Sequence, residues 1–309
     1  MMRLSHRTTV YRAIFLFEAL FLGDRGRIIS AYLQRHPVQF MISGSTELLA
    51  IVGSPIAQVK SPHNFNAWFE RHGKDASMIP VDLDARSVGP FIEAMRAWRN
   101  LRGCVVTVPY KQDMAARVDV LSDRARALGC VNVIRREVDG TLIGDMVDGD
   151  GFINAARAHG FDPAGARALV IGAGGVGSAI AWSLCEHGAK SITLTDLDTS
   201  RTRRLRTLLG AHFPAVDTGT DFESLASFDL VVNASPVGMA GNETLPLPRD
   251  LMATLRADIL VADVVTSPDV TRFLDVARDA GCRIQTGAEM ALAQFGNLGA
   301  FMKMTPLDA

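Results

Sequence analysis

From about residue 47 onwards, short apolar runs alternate with stretches in which apolar residues recur every three or four positions. The runs predict buried strands and the spaced patterns predict amphipathic helices. Such alternation is typical of a parallel sheet covered by helices on both faces, so we predict an α/β fold. The predicted strands are 48–53, 77–81, 101–106, 130–135, 142–144, 168–171, 191–195, 229–233, 259–264 and 283–285.

The helix predictions rest on apolar spacing and on helix-start signals. Pro109 is expected to open one helix, since a proline at a first helical position loses no hydrogen bond. Asp139-Gly140 predicts a hairpin turn between 130–135 and 142–144. The other predicted helices are 62–72, 88–98, 121–128, 148–159, a segment after Gly177, 199–209, 251–255, 270–280 and 288–304.

The N-terminal 40 residues do not fit this alternation. They are basic, and their apolar run 13–22 is interrupted by Glu18 and too short to cross a bilayer. We expect residues 1–40 to be either a loosely attached helix or the product of an upstream start codon. The remaining chain exceeds what one hydrophobic core usually organises, which predicts two domains.

The segment 168–196 predicts a complete strand, glycine turn, helix and second strand. Gly172 permits the tight turn, Gly174 lets the backbone approach a pyrophosphate, and Gly177 allows close packing of helix on strand. Backbone N–H groups at the start of the helix would face the phosphates. The predicted cofactor-binding residues of this turn are Gly172, Ala173, Gly174, Gly175, Val176 and Gly177.

Asp196 ends the second strand, 19 residues beyond Gly177. A carboxylate there can accept hydrogen bonds from both ribose hydroxyls and would repel a 2′-phosphate, so we predict NAD rather than NADP. Arg201, Arg203 and Arg204 follow at helical spacing, where a solvated helix face is the simpler interpretation than a phosphate site.

Composition narrows the remaining choices. A net charge of −1, with 48% hydrophobic and 21% charged residues, describes an ordinary globular protein and disfavours an electrostatic nucleic-acid binder. The four cysteines are scattered without a CxxC pair, as in reduced cytoplasmic proteins. The histidines lack HxxH or HExxH spacing, so we expect no metal site, and we expect no membrane partner.

Several segments then resemble motifs of the shikimate/quinate dehydrogenase family. Residues 53–66 resemble its GxPIxHSxSPxxHN loop and 105–111 its NVTxPxK segment. Residues 129–132 resemble GAxN, Asp148-Gly149 the end of NTDG, and 233–239 the NAxPxGM loop beside the nicotinamide. The matches occur in the family's order from about residue 47 to the end.

The resemblance implies an NAD-dependent oxidoreductase that exchanges hydride between a secondary alcohol of a cyclic hydroxy acid and the nicotinamide. It implies a two-domain α/β fold: an N-terminal substrate domain, 41–147 completed by 287–309, and a Rossmann-type dinucleotide-binding domain, 148–286. A small-molecule substrate, a monomer or homodimer and a cytoplasmic location follow from the same resemblance.

The family pattern also assigns roles to residues. Lys111 and Asp148 would form the catalytic acid–base pair, although without the pattern Lys111 is a surface lysine and Asp148 a helix N-cap. Ser61 would bind substrate or merely cap a helix. The complete implied sets are Ser61, Thr107, Asn132 and Gln294 for substrate, and Asn233, Ser235, Gly238 and Met239 beside the nicotinamide.

This sequence departs from the family's motifs at positions where the family contacts substrate. Apolar residues stand at Val59, Val105, Met146 and Val147, and Thr266 replaces an expected tyrosine. Each change removes a donor or acceptor, so a pocket for a polyhydroxy acid should be weakened. A non-catalytic dinucleotide-binding regulator is therefore an alternative, while a methyltransferase is disfavoured by the pyrophosphate-type turn.

Overall fold

The computed structural model describes residues 42–242 and 244–309. The predictions for residues 1–40 lie outside these residues. The described chain forms two six-stranded sheets, one from its first half and one from its second. The predicted α/β class is confirmed.

The first sheet has the strand order β2-β1-β3-β5-β6-β4. Its centre, β2-β1-β3, is parallel, whereas β5 runs antiparallel to both β3 and β6. The hairpin β5–β6 turns at Gly140, whose φ of 93° favours glycine, as the sequence predicted. The strands are β1 Glu47–Gly53, β2 Ala76–Asp82, β3 Leu101–Val106, β4 Val120–Leu121, β5 Val133–Arg136 and β6 Leu142–Asp145.

The second sheet is parallel throughout, with the order β12-β11-β10-β7-β8-β9. This is the doubly wound dinucleotide-binding order, and its switch point lies between β7 and β10. Ligands bind at such a point, outside the carboxyl ends of the strands. The strands are β7 Arg167–Ile171, β8 Ser191–Thr195, β9 Asp217–Gly219, β10 Leu230–Asn233, β11 Leu260–Asp263 and β12 Arg283–Gln285.

Helices cover both faces of both sheets. Alternate residues of the central strands enter separate apolar clusters on the two faces, which is why the strands read as continuous apolar runs. The helices are α1 Ser61–Arg71, α2 Val88–Ala97, α3 Lys111–Ala115, α4 Asp123–Leu128, α5 Asp148–Ala158, α6 Gly175–Glu186, α7 Thr199–His212, α8 Arg249–Met252, α9 Arg272–Asp279, α10 Gly287–Ala293 and α11 Phe295–Phe301.

Helix α5 joins the two halves by packing against α6. A Cβ on Gly149 would lie 2.3 Å from the carbonyl oxygen of Ala179, so only glycine permits this approach of the two helices. The first turn of α5 therefore lies beside the helix that follows the glycine turn. The predicted boundary at residue 148 stays a prediction.

Three helix predictions were inaccurate. Pro109 does not open a helix, because Tyr110 N–H bonds to Thr107 O in a turn and α3 begins at Lys111. The predicted helix 251–255 lies earlier, at Arg249–Met252. The predicted helix 288–304 is divided at Gln294 into α10 and α11. The short strands β4 and β9 carry too few residues to show a pattern and were missed.

The C-terminal segment contacts elements of the first sheet. Lys74 Nζ donates to the carbonyl oxygen of Met304 at 2.7 Å, and Arg135 Nη1 donates to that of Phe301 at 2.9 Å. Met302 packs where a side chain on Gly103 would lie, 2.9 Å from its ideal Cβ. Gln294, between α10 and α11, thereby lies beside Asn132 and the first turn of α5.

Candidate active site

The glycine turn after β7 is built almost entirely from backbone. Gly172 has φ 99°, and a Cβ on Gly177 would lie 1.9 Å from Gly172 O, so both positions require glycine. Around ideal Cβ atoms on Gly174 and Gly175, no described atom lies within 4 Å. Gly172 and Gly177 are thus required by the fold itself. Gly174, in contrast, has no described atom near it on the side from which a ligand would approach the start of α6.

Helix α6 begins at Gly175, with Gly174 at its N-cap. Because glycine has no side chain to cap the helix, its first N–H groups are left for a ligand. Ala173 and Val176 lie within this turn, and Ala173 N–H donates to Asp196 Oδ2 at 2.7 Å. The arrangement suits a diphosphate and fits a dinucleotide cofactor.

Asp196 lies at the end of β8 and holds the adjoining loops. Besides the bond from Ala173, its Oδ1 accepts from Asp198 N–H at 2.9 Å. The carboxylate therefore fixes the glycine turn, a structural role that sequence reasoning missed. A cavity of about 330 Å³ adjoins it, lined by Leu194, Thr195, Asp196, Thr199, Thr202, Arg203, Arg206, Thr220 and Asp221.

Asn233 shapes the loop after β10. The side chain is fully buried; its Nδ2 donates to Val237 O at 2.8 Å and to Asp263 Oδ1 at 3.1 Å, and its Oδ1 accepts from the Ser235 hydroxyl at 2.6 Å. Gly238 follows with φ 98°. These residues make a rigid loop at the switch point, and they leave Met239 half exposed at its tip.

Asp263, at the end of β11, completes this support. It accepts from the Thr271 hydroxyl at 2.7 Å and from Val265 N–H at 2.9 Å. Burial raises the pKa of Asp263 above its ordinary value, and the hydrogen bond from Thr271 only partly offsets that effect.

The second half of the site lies at one edge of the first sheet. Strand β3 ends there before Lys111, β6 ends there before Asp148, and β5, which is antiparallel to both, begins there after Asn132. Val106 N–H donates to Asn132 O at 2.7 Å and Asn132 N–H donates to Asp145 O at 2.9 Å. Three segments that are distant in sequence therefore converge because of strand direction.

Lys111 and Asp148 form an ion pair between Nζ and Oδ2. Their side chains are only 14% and 6% exposed, so Lys111 is not a surface lysine. Asp148 is the first residue of α5 rather than its N-cap, which is Val147. The structure thus places the two residues together in a partly desolvated position, as an acid–base pair requires.

Asn132 orients this pair. Its Nδ2 donates to Asp148 Oδ1 at 2.6 Å, and its Oδ1 accepts from Val147 N–H at 2.8 Å. Gln294 Oε1 lies 3.3 Å from the same Nδ2. Gln294 reaches this point because α10 crosses α5 at Gly151, where a Cβ would lie 2.3 Å from Gln294 Cβ. Four of the predicted residues therefore form one hydrogen-bonded cluster.

The remaining predicted substrate residues lie on neighbouring loops. Ser61 is the first residue of α1 and Lys60 occupies the N-cap, which removes the interpretation of Ser61 as a capping residue. Thr107 follows β3 directly and bonds through its N–H to Val52 O at 2.9 Å. Both side chains are half-buried.

The departures from the family fall into two groups. Val59, Val105 and Val147 belong to one apolar cluster together with Phe295, which adjoins the acid–base cluster. Met146 instead lies in the apolar core on the other face of the sheet, fully buried. The prediction that Met146 alters the substrate-contacting surface is therefore not supported, because its side chain packs in a different apolar cluster from the three valines.

Sequence reasoning missed the residues that hold the start of α5, namely Arg124, Asp145 and Asp150. No local pattern distinguishes them from ordinary surface charges. Among the described residues no group of three His, Cys, Asp or Glu is placed to hold a metal ion. Residues 42–242 and 244–309 also contain no helix with the length and apolarity to span a membrane.

Comparison with known proteins identifies relatives along nearly all of the described chain. Residues 51–134 match the family model for the shikimate dehydrogenase substrate binding domain. A protein of Rhodospirillum rubrum named shikimate dehydrogenase (NADP(+)) is 35% identical over 260 residues, which cover 82% of this chain and 90% of the relative.

Solved structures agree with this result. Shikimate 5-dehydrogenase from Listeria monocytogenes, in complex with shikimate and NAD, matches with a TM-score of 0.79 and 27% identity, covering 86% of this chain and 96% of that one. The ligand-free 5-ketofructose reductase of a Gluconobacter strain matches with a TM-score of 0.76 and 26% identity, covering 86% and 96%. Proteins that share this fold are therefore named after different substrates.

Proposed function

The chain belongs to the shikimate dehydrogenase family, and from that premise we propose that it is an NAD-dependent oxidoreductase acting on a secondary alcohol. The substrate class is a cyclic hydroxy acid: shikimate, quinate or an analogue. The observation that carries the proposal is the buried pair of Lys111 and Asp148, oriented by Asn132. An activity on shikimate would serve aromatic amino acid biosynthesis, and a cytoplasmic monomer or homodimer belongs to the same proposal.

The chain's own residues supply the proton chemistry. The ion pair contains Lys111 as the ammonium, the form that donates a proton to the carbonyl oxygen when a ketone is reduced. In alcohol oxidation Lys111 must first have released that proton to solvent. The neutral amine then accepts the proton of the substrate hydroxyl, and the Asp148 carboxylate holds the ammonium that results. Asn132 fixes the carboxylate from the other side. When bound, NAD supplies the nicotinamide that accepts hydride. The Ser235–Met239 loop and the open turn at Gly174 are the residues that would hold it.

The choice of NAD rests on the adenosine end. Asp196 there would repel a 2′-phosphate, and Asp221 adds a second carboxylate to the adjoining cavity. Arg203 and Arg206 line the same cavity, and their positive charges would favour the 2′-phosphate of NADP. The Rhodospirillum relative is also named as an NADP(+) enzyme. We give Asp196 the greater weight, because two backbone hydrogen bonds fix its carboxylate at the end of β8.

A second candidate substrate class is an uncharged polyol or hydroxy ketone. Val59, Val105 and Val147 provide no donor for a carboxylate, and the Gluconobacter structure carries the name of a ketosugar reductase. Ser61 and Thr107 would still bind hydroxyl groups. A non-catalytic regulator is less well supported, because the Lys111–Asp148–Asn132 cluster is complete.

The test is the appearance of NADH or NADPH absorbance with a panel of shikimate, quinate, related hydroxy acids and uncharged polyols. The proposal expects turnover of at least one hydroxy acid, faster with NAD than with NADP. Turnover of polyols alone would favour the second candidate. Tight NAD binding without turnover of any panel member would support the regulator and overturn the enzyme.

A further inference from the structure

Arg124 of helix α4 joins the end of strand β6 to the start of helix α5. Its Nε and Nη2 donate to Asp145 Oδ1 and Oδ2, both at 2.8 Å, which is a bidentate pair. Its Nη1 donates to Asp150 Oδ2 at 2.7 Å. We call Arg124, Asp145 and Asp150 the Arg124 clamp.

The clamp is largely buried, which sets it apart from the ion pairs on the surface. The side chains of Arg124, Asp145 and Asp150 are 19%, 10% and 19% exposed. Burial alone would raise the pKa of Asp145, but the hydrogen bonds and charge of Arg124 outweigh it and lower that pKa. The Ser122 hydroxyl also donates to Asp145. Such a network fixes its members far more firmly than an exposed pair does.

The clamp holds both sides of the segment that carries Asp148. Asp145 precedes Asp148 by three residues, at the end of β6, and Asp150 follows it by two, in the first turn of α5. The same Asp145 accepts Asn132 N–H through its backbone oxygen. Arg124 is therefore linked through Asp145 to Asn132, which orients the acid–base pair, and it holds residues on both sides of Asp148, a member of that pair.

Helix α5 needs this external support because its own N-cap cannot supply it. The N-cap is Val147, whose aliphatic side chain has no atom that could accept a helix N–H. The N–H of Val147 is already used by Asn132 Oδ1. The position of the first turn is thus set by side chains from other elements: Lys111 pairs with Asp148, and Arg124 pairs with Asp150.

We propose that Arg124 is a positioning residue for the Lys111–Asp148 pair, acting through Asp145 and Asp150. This inference rests on the proposed function, because it concerns the geometry of proton transfer. A displacement of about 1 Å in a reacting group can lower a rate about a hundredfold. Arg124 therefore contributes to kcat without touching substrate or cofactor.

The experiment compares Arg124→Met with Arg126→Met. Arg126 lies on the same helix, pairs with Asp123 and is 65% exposed, so it is a matched control outside the clamp. Three quantities are measured on the full chain: kcat with the best substrate, KM for NAD, and backbone hydrogen exchange across residues 146–152. Asp150→Asn provides a milder variant, because its side-chain oxygen can still accept from Arg124.

For Arg124→Met we expect kcat to fall roughly 10- to 100-fold with KM for NAD unchanged, and exchange across 146–152 to accelerate. Arg126→Met should match the unaltered enzyme, and Asp150→Asn should lie between. A kcat within about twofold of the unaltered enzyme, or a parallel change in KM for NAD, would overturn the inference.

The outcome can be separated from a failure of the proposed function. If the unaltered protein oxidises no substrate, the proposed function falls, and hydrogen exchange still decides whether Arg124 holds the start of α5. Unchanged exchange across 146–152 in Arg124→Met would overturn the clamp in that case. Faster exchange there, with slow exchange retained in Arg126→Met, would support it.

Discussion

One half of the site is formed mainly by backbone groups and the other mainly by side chains. At the switch point of the second sheet, backbone N–H groups and a bare glycine surface face the predicted cofactor. At the edge of the first sheet, charged and amide side chains from four segments form the acid–base cluster. The first half is disrupted by adding atoms, whereas the second is disrupted by removing them.

This difference determines what each half can tolerate. A Cβ at Gly177 would displace backbone, which has no alternative position. Loss of one charged partner in the other half leaves a buried charge without compensation, which costs more than the pair itself contributes. Variants of the two halves should therefore differ in kind as well as in size, and the predictions below test that difference.

The largest effect is expected from Lys111→Met, which removes the amine and keeps the length of the side chain. We expect kcat to fall roughly 10²- to 10⁴-fold, because the substrate proton loses its acceptor. Affinity for NAD, measured by calorimetry, should not change. Lys190→Met, on the distant side of the second sheet, is the control. A kcat close to that of the unaltered enzyme would remove Lys111 from the mechanism.

Asp145→Asn should produce the next largest effect, on stability. Its pKa is lowered in the folded state, so its stabilisation is present above the ordinary value of 3.8 and is lost as pH falls through the lowered folded value. Near neutral pH the free energy of unfolding should fall by about 3–5 kcal/mol, because Arg124 loses a buried partner.

Urea unfolding as a function of pH checks this prediction. The difference between Asp145→Asn and the unaltered protein should shrink once pH drops below 3.8. Asp123→Asn changes a fully exposed acid of α4, the helix that carries Arg124, and should give the unaltered curve. A difference that stays constant down to the lowest pH would show that the charge of Asp145 is not what stabilises the clamp.

Gly177→Ala tests the backbone half. The added Cβ would meet Gly172 O, so we expect a loss of about 1–3 kcal/mol in stability together with weaker NAD binding. Gly175→Ala is the matched control for stability, since no described atom lies within 4 Å of its Cβ. Equal melting temperatures for the two variants would contradict the close approach at Gly177.

Asp196→Asn is expected to have the smallest effect, because it changes a single side chain in the backbone half. The amide oxygen can still accept from Ala173 N–H, although the hydrogen bond from Asp198 N–H is lost, so the glycine turn should persist while the repulsion of a 2′-phosphate disappears. We expect the ratio of kcat/KM for NAD over NADP to fall about tenfold. Asp221→Asn should change it less, and an unchanged ratio in Asp196→Asn would mean that the ribose contact lies elsewhere.

The same difference between the halves explains how much the sequence could predict. The glycine turn and Asp196 occupy one continuous segment whose strand, turn and helix signals are local. The Rossmann-type domain that the family resemblance implies has a characteristic strand order, whereas the local signals alone do not give it. The fold class and most elements were therefore predictable, with element ends accurate to a few residues.

The acid–base half could be recognised only through its resemblance to a family. Asn132 and Gln294 lie far apart in sequence, and nothing local indicates that α10 will cross α5 at Gly151. The face that Met146 occupies depends on how the end of β6 is held, and Arg124 has no signature that separates it from Arg126. Tertiary packing, rather than propensity or spacing, decides these positions.

The central claim is that cofactor binding and proton transfer reside in separable halves. The direct measurement is kcat at saturating NAD for Gly174→Ala and Lys111→Met, with the best substrate of the panel. Gly174 has φ −76°, and a Cβ there meets no described atom within 4 Å, so its variant should fold and lose only NAD affinity.

Raising the NAD concentration should restore kcat of Gly174→Ala to within about threefold of the unaltered enzyme. Lys111→Met should stay at least about a hundredfold below it at every NAD concentration. Recovery of Lys111→Met at high NAD, or a Gly174→Ala variant that remains as slow as Lys111→Met when saturated, would contradict the division of the site into two halves.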